Sequence, residues 1–243
     1  MKVPKDFLVE FLKSKGIDII KSKERNLNKL AIKLQMGKLK IKEDDFDGTL
    51  IEEYDGIKLI GNEGEEKTRW YAGKTGKQID LKIKLEYPKI VIDYGLWSYH
   101  TDHEKWLLKK QTLLTLQTIR EHLWDRNLVL ASCPKEISEY IKQWDFFGDI
   151  FPNKFVGDAV VLDPHGKTIL KKFEQNKVYI LGGIVDKSNR MRTKELGYNL
   201  KGIRLELNNK VSEVPDRLNI ITKIMCLSLE GMPLIEAIQQ SRF

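Results

Sequence analysis

The stretch Val178-Tyr179-Ile180-Leu181-Gly182-Gly183-Ile184-Val185-Asp186-Lys187 decides how this chain is read. A short, unbroken apolar run closed by glycines suits a strand buried on both faces of a sheet. Gly182-Gly183 puts bare backbone at the strand end, where another group can approach closely. Paired glycines also end strands in plain turns, and both readings stand at this point. The spacing is not G-x-G-x-x-G, so the usual dinucleotide fingerprint does not apply. Asp186 follows two more apolar residues. A carboxylate there serves to accept a proton or orient a ring nitrogen. Equally, it serves as a helix N-cap or as a surface partner of Lys187.

Working outward, similar short apolar runs recur at 90–92, 128–130, 159–162 and 203–205. Helical stretches at 104–124, 135–144, 216–229 and 234–240 fall between and after them. Strands interleaved with helices predict an α/β domain with a mostly parallel sheet. Ligands in such sheets bind beyond the carboxyl ends of strands. Three ends are candidates: Leu162-Asp163-Pro164-His165-Gly166, the opening stretch itself, and Ile203-Arg204-Leu205-Glu206-Leu207 with the following 214–220.

Before Pro88 the periodicity differs. Helical stripes are expected at 4–15 and 26–36, and a loop at the acidic run 43–48. A hairpin is expected over 50–60, turning at Asp55-Gly56. Ile79, Leu81, Ile83 and Leu85 alternate with polar residues and predict a half-buried strand over 78–85. The chain thus divides into a small α+β domain, 1–87, and the α/β domain, 88–243.

The 243 residues are 41% hydrophobic and 32% charged, which fits a water-soluble globular protein. No apolar run approaches the roughly 18 residues of a transmembrane helix, so no membrane association is expected. The first 16 residues are charged and amphipathic, unlike a secretory signal. Cys133 and Cys226 lie far apart and match no metal spacing, which fits a reducing cytoplasm. His100-Thr101-Asp102-His103 lacks a third ligand and reads as a polar loop rather than a metal site. Trp97, Tyr99 and Trp106 beside it read as packing or as a rim touching RNA. Residues 1–42 carry a net charge of +8, residues 43–86 carry −5 and the remainder +4. A basic segment of that kind suits a polyanion such as nucleic acid, or a solvated lysine-rich face.

The opening stretch resembles the Gly-Gly-aliphatic-Val-Asp-Lys signature of the tRNA purine-9 N1-methyltransferases, archaeal type. Ile90-Val91-Ile92-Asp93 resembles that family's first strand with its acidic end. The helix running from Lys109-Lys110-Gln111 to Arg120 resembles the one that follows. Leu162-Asp163-Pro164 and Arg217-Leu218-Asn219-Ile220 fall where the family's cofactor loops belong. The resemblance covers roughly 88–243, and more loosely the order of elements in 1–87.

The resemblance implies a SPOUT-type α/β domain with a trefoil knot holding S-adenosylmethionine, preceded by an RNA-binding domain. Leu162, Gly182, Gly183, Ile184, Leu205, Leu207, Leu218, Asn219 and Ile220 are then expected around the cofactor. Lys187 joins that loop or contacts phosphate. Asp186, with Asp93 as a second carboxylate, is expected at the target base. Lys109, Lys110, Arg120, Arg190 and Arg192 are expected to contact RNA phosphates, although surface lysines and arginines are often merely solvated. N1 of guanine must lose a proton before methylation, whereas N1 of adenine carries a free lone pair. Asp186 alone does not choose between them; the archaeal arrangement of the N-terminal part favours adenine. The resemblance further implies a monomer. Two other readings remain: an RNA-binding protein without catalysis, and a SPOUT methyltransferase of another RNA.

Overall fold

Pro4 fixes φ where the first N–H of a helix has no partner anyway, and helix α1 (Pro4–Ser14) begins there. The Asp6 carboxylate reaches back to accept the backbone N–H of Val3 at 2.7 Å, and Leu8, Val9 and Leu12 form the buried stripe. Asn26 opens α2 (Leu27–Gln35) by accepting the N–H of Lys29 at 2.8 Å. Three strands accompany these helices: β1 (Ile19–Ser22), β2 (Lys40–Tyr54) and β3 (Ile57–Gly73), in the order β1-β3-β2. β2 and β3 form the expected hairpin. Asp55 and Gly56 take φ of 47° and 76°, the two left-handed positions that a tight two-residue turn demands.

Two expectations fail in this part. The acidic run 43–48 is no loop but lies inside β2. The ladder absorbs it through a register shift between Glu43 and Phe46, so the acidic side chains stand out from an irregular strand. Residues 78–85 form no strand: only Lys77 bridges, to Ile41. Leu81 and Ile83 are buried in the alternation expected, but Lys82 turns to φ 51°. The backbone N–H groups of Leu81 and Lys82 go to the side chains of Gln35 and Asp80 rather than to a neighbouring strand.

The computed structural model describes residues 2–185 and 191–241. They pack as two units, Lys2–Leu85 with Arg120–Trp124, and Glu86–Ile119 with the chain from Asp125 onward. The 120–124 segment belongs to the first unit through Asn28, whose Nδ2 donates to the carbonyls of Arg120 and Leu123 at 3.2 and 3.0 Å. A boundary drawn along the sequence at 87 separates this segment from the unit in which it packs.

The second unit holds β4 (Lys89–Asp93), α3 (Asp102–His122, which runs out into the 120–124 segment), β5 (Leu128–Ala131), α4 (Lys135–Lys142) and β6 (Asp149–Ile150). There follow β7 (Val160–Leu162), β8 (Thr168–Ile169), β9 (Val178–Gly182), β10 (Gly202–Arg204), α5 (Leu218–Leu229) and α6 (Leu234–Gln240). The seven strands lie in the order β6-β5-β4-β9-β7-β10-β8, and every pairing is parallel. Ile90, Val91, Ile92, Leu128, Val129 and Ile180 have no solvent exposure, as strands covered on both faces require. β10 ends at Arg204, so Leu205 leaves the ladder, and α5 starts at Leu218, two residues later than the periodicity suggests.

Candidate active site

The sheet order places β7 between β9 and β10, so the loops after three strands that are distant in sequence open side by side. They enclose a cavity of about 970 Å³, at the upper end of the volumes usual for small-molecule sites. Leu162, Leu181, Ile203, Leu205, Leu218 and Ile221 give it apolar walls. Asp163, Glu213 and Asp216 bring carboxylates to its edge, and Arg192 a guanidinium.

The loops are held by specific contacts. Gly183 donates its N–H to the Asp93 carbonyl at 2.7 Å. A Cβ on Gly183 would stand 2.9 Å from that carbonyl oxygen and 3.0 Å from the Tyr94 ring, so only glycine allows this crossing. One step on, Val185 donates its N–H to Nε2 of the buried His100 at 3.1 Å, and Nδ1 of His100 lies 3.0 Å from the Leu96 carbonyl. With the proton on Nδ1, both ring nitrogens are used, and His100 holds the chain up to the residue before Asp186. His103 is exposed and lies against Trp106, with ring centroids 6.1 Å apart. Among the described residues no cluster of three metal-ligating side chains occurs.

The segment that returns towards β10 is fastened to β4. The buried Asp93 carboxylate accepts the N–H of Gly95 at 2.7 Å and the phenol O–H of Tyr198. Burial, then the hydrogen bond to Asp93 and its charge, push the Tyr198 phenol far above its ordinary range. Lys154 Nζ lies 4.1 Å from the centre of the Tyr198 ring. Beside them Leu96, Met191 and Leu196 form a buried cluster against which Ile184 packs. On the far wall, α5 has no capping side chain of its own; Gln111 of α3 accepts the N–H of Leu218 at 3.1 Å.

Of the residues expected around a cofactor, Leu162, Gly182, Ile184, Leu205 and Leu218 line the cavity. Gly183, Leu207, Asn219 and Ile220 do not. Gly183 faces β4. Leu207 is buried at a tight turn closed by reciprocal hydrogen bonds with Lys210. Because α5 begins at Leu218, the next residue on its cavity side is Ile221 rather than Ile220. Asn219 buries its Oδ1 without a partner among the described residues. Asp186, Lys187 and Arg190 lie outside the described residues. Asp93 is close behind the loops, yet its carboxylate is committed to Gly95 and Tyr198 and it is not among the lining residues. Arg192 lines the cavity, while Lys109 and the exposed Lys110 sit on α3, Lys110 with its ammonium 5.5 Å from the Trp106 ring centre. Arg120 belongs to the other unit. Sequence reasoning weighed His100 only as part of a polar loop and did not single out Tyr198 or Ile221; His100 and Tyr198 act on residues far along the chain, which no local signal announces.

Comparison with known proteins agrees with this architecture. Residues 5–72 match the family model described as the tRNA (adenine(9)-N1)-methyltransferase N-terminal domain. The chain is 32% identical to the tRNA (adenine(9)-N1)-methyltransferase of Sulfolobus acidocaldarius, over 82% of this chain and 70% of that protein. It is 25% identical to the tRNA (guanine(9)-/adenine(9)-N1)-methyltransferase of Thermococcus kodakarensis, over 99% of this chain and 73% of that protein. The crystal structure of Sulfolobus acidocaldarius Trm10 in complex with S-adenosylhomocysteine superposes with a TM-score of 0.76 at 27% identity, covering 99% of this chain and 83% of that one. The fold is therefore the SPOUT-type α/β domain behind a small N-terminal domain, and the chain belongs to the tRNA purine-9 N1-methyltransferase family.

Proposed function

We propose that this protein transfers a methyl group from S-adenosylmethionine to N1 of adenine at position 9 of tRNA. The observation that carries the reading is the cavity shared by the ends of β7, β9 and β10, in a chain that belongs to this family. Its chemistry suits the cofactor. Apolar walls from Leu162, Leu205, Leu218 and Ile221 accept a flat purine, and acids at the edge accept hydrogen bonds from ribose hydroxyls and an ammonium group. When bound, S-adenosylmethionine supplies an electrophilic methyl on a sulfonium, so the protein contributes mainly proximity and alignment. The target base leaves the tRNA stack to reach it.

Within this reading His100 and the Asp93–Tyr198 pair are positioning residues. They fix the two chain segments that flank Asp186, the carboxylate proposed to orient the base or accept its proton. Arg192, with Lys109 and Lys110, contacts phosphate, and the first unit supplies further RNA contact through exposed cations such as Lys23 and Arg25. The protein works as a monomer in the cytoplasm, where its two buried, free cysteines stay reduced. Among the described residues no helix is long and apolar enough to cross a membrane.

The test is methylation of unmodified tRNA transcripts with labelled S-adenosylmethionine, followed by identification and mapping of the product. N1-methyladenosine at position 9 is expected. N1-methylguanosine there would keep the family role and change the base. Methylation elsewhere in the RNA, or salt-dependent binding without transfer, would overturn the proposal.

A further inference from the structure

Beside the cofactor cavity lies a second one of about 530 Å³, which shares Asp163, His165 and Arg192 with it. Lys167, Lys194 and Lys201 complete its charged lining. All three lysines and Arg192 are exposed, and none of the four side-chain cations is ion-paired among the described residues; Glu195 takes only the backbone N–H of Arg192, at 3.4 Å. Asp163 is the single acid in the lining; it is buried and its Oδ1 already accepts the N–H of His165 at 2.9 Å. Four cations thus face one engaged carboxylate. Several lysines of the first unit, by contrast, stand within 4 Å of an acid, among them Lys13, Lys29, Lys33 and Lys58.

The rim that carries these cations is built closely. A Cβ on Gly166 would stand 2.3 Å from the Gly202 carbonyl oxygen, and one on Gly202 would stand 2.8 Å from Asp163 Cβ. These two glycines let the loop after β7 lie directly against the start of β10. Arg204 then pins that loop by donating to the carbonyls of Gly166 at 2.7 Å and Lys167 at 3.4 Å. Its Nε–H goes to Glu206 at 2.6 Å, so Arg204 is committed to holding the loop. Lys167 and Lys201 are left at the two sides of the opening on a braced backbone.

We infer that this second cavity is a seat for the RNA phosphates next to the methylated nucleotide, with Lys167, Lys194 and Lys201 as its ligands. The inference rests on the function proposed above. A nucleotide brought to the cofactor carries its own flanking phosphates, and unpaired cations adjoining the cofactor site meet them first. Polyanion binding by lysine point charges needs no base contact, so the seat positions any target sequence equally.

The experiment is equilibrium binding of a tRNA transcript at several salt concentrations, with S-adenosylmethionine affinity measured in parallel. It uses the full chain, K167A, K201A, the double variant, and K167R with K201R as charge-preserving controls. Each alanine is expected to weaken tRNA binding about fivefold near physiological salt and to lower the slope of log Kd against log salt by nearly 1. The arginine variants should retain the wild-type slope, and affinity for S-adenosylmethionine should not change. An unchanged slope in the double variant would overturn the inference. So would weaker S-adenosylmethionine binding with tRNA binding intact, which would give the cavity to the cofactor's carboxylate. Because binding is read without turnover, absence of methylation at position 9 by the wild type would count against the proposed function alone.

Discussion

The two units treat charge in opposite ways. In the first, the fold pairs part of the charge that the sequence segregates. Residues 1–42 are strongly basic and 43–86 acidic, yet the hairpin and helices bring them together. Lys13 meets Asp55 at 2.8 Å and Lys21 meets Asp47 at 3.8 Å across that divide, while Lys33–Glu24, Lys58–Glu66 and Arg69–Glu43 each pair within one segment. In the second unit the sequence is close to balanced, and the fold concentrates cations where three strand ends converge. A charge profile along a chain therefore locates a polyanion site poorly; what matters is which cations remain unpaired after folding.

The contrast depends on the close approach of β7 and β10, and the largest effect is expected from breaking it. Gly166→Ala adds a methyl that meets a carbonyl oxygen at 2.3 Å. Backbone cannot rotate away as a side chain can, so the strand ends must separate, at a cost of about 3 kcal/mol. Denaturant unfolding should show that loss, and affinity for S-adenosylmethionine should fall with it. Gly56→Ala in the first unit tests the other kind of glycine. An added Cβ meets nothing within 4 Å there, and only the φ of 76° is unfavourable. A cost of about 1–2 kcal/mol is expected, with cofactor binding untouched.

A smaller loss is expected at the fastening of the cavity loops. Tyr198→Phe removes the donor to a buried carboxylate and should cost about 1–3 kcal/mol. As a positioning change it should lower kcat for methylation while leaving the KM for tRNA nearly unaltered. Equal losses in both, or a change in tRNA affinity alone, would give Tyr198 a role in RNA contact instead.

The same phenol predicts how stability responds to pH. Tyr198, Tyr94 and Tyr179 all have their phenol held above the ordinary value, in each case first by burial. The folded state therefore keeps protons that the unfolded chain gives up above about pH 10. Stability from these groups is fully present below that pH and declines as pH rises beyond it. Tyr198→Phe should flatten part of that alkaline decline. A thermal-unfolding series from pH 8 to 11 that shows no decline would contradict the burial of these phenols.

Much of the second unit was legible because buried parallel strands announce themselves as unbroken apolar runs. Ile90 to Ile92 and Val178 to Leu181 needed no partner to be recognised, and Gly182 and Leu205 could be placed at strand ends. The very short edge strands β6 and β8 carry no such run. In the first unit 78–85 shows the limit of periodicity: its alternation describes burial correctly but says nothing about whether a neighbouring backbone is present to pair. The site was legible where residues act locally, as at Leu162 and Gly182. It was illegible where a residue acts on a distant one, as His100 does on Val185, and where a helix start shifts the facing residue from Ile220 to Ile221.

The smallest effects should come from the paired lysines of the first unit, and they sharpen the contrast most. Lys13 and Asp55 are about half exposed, at 47% and 65%, so their ion pair is worth at most about 0.5 kcal/mol. Lys13→Ala should leave both stability and tRNA affinity nearly unchanged, because its charge is already matched by an acid. Lys23 and Arg25 lie exposed between β1 and α2 with no acidic partner among the described residues. Lys23→Ala should therefore weaken tRNA binding more than Lys13→Ala does, approaching the effect expected at Lys167. If Lys13→Ala and Lys23→Ala weaken binding equally, pairing within the unit does not govern which lysines meet RNA. The opposition between the two units would then reduce to their total charge.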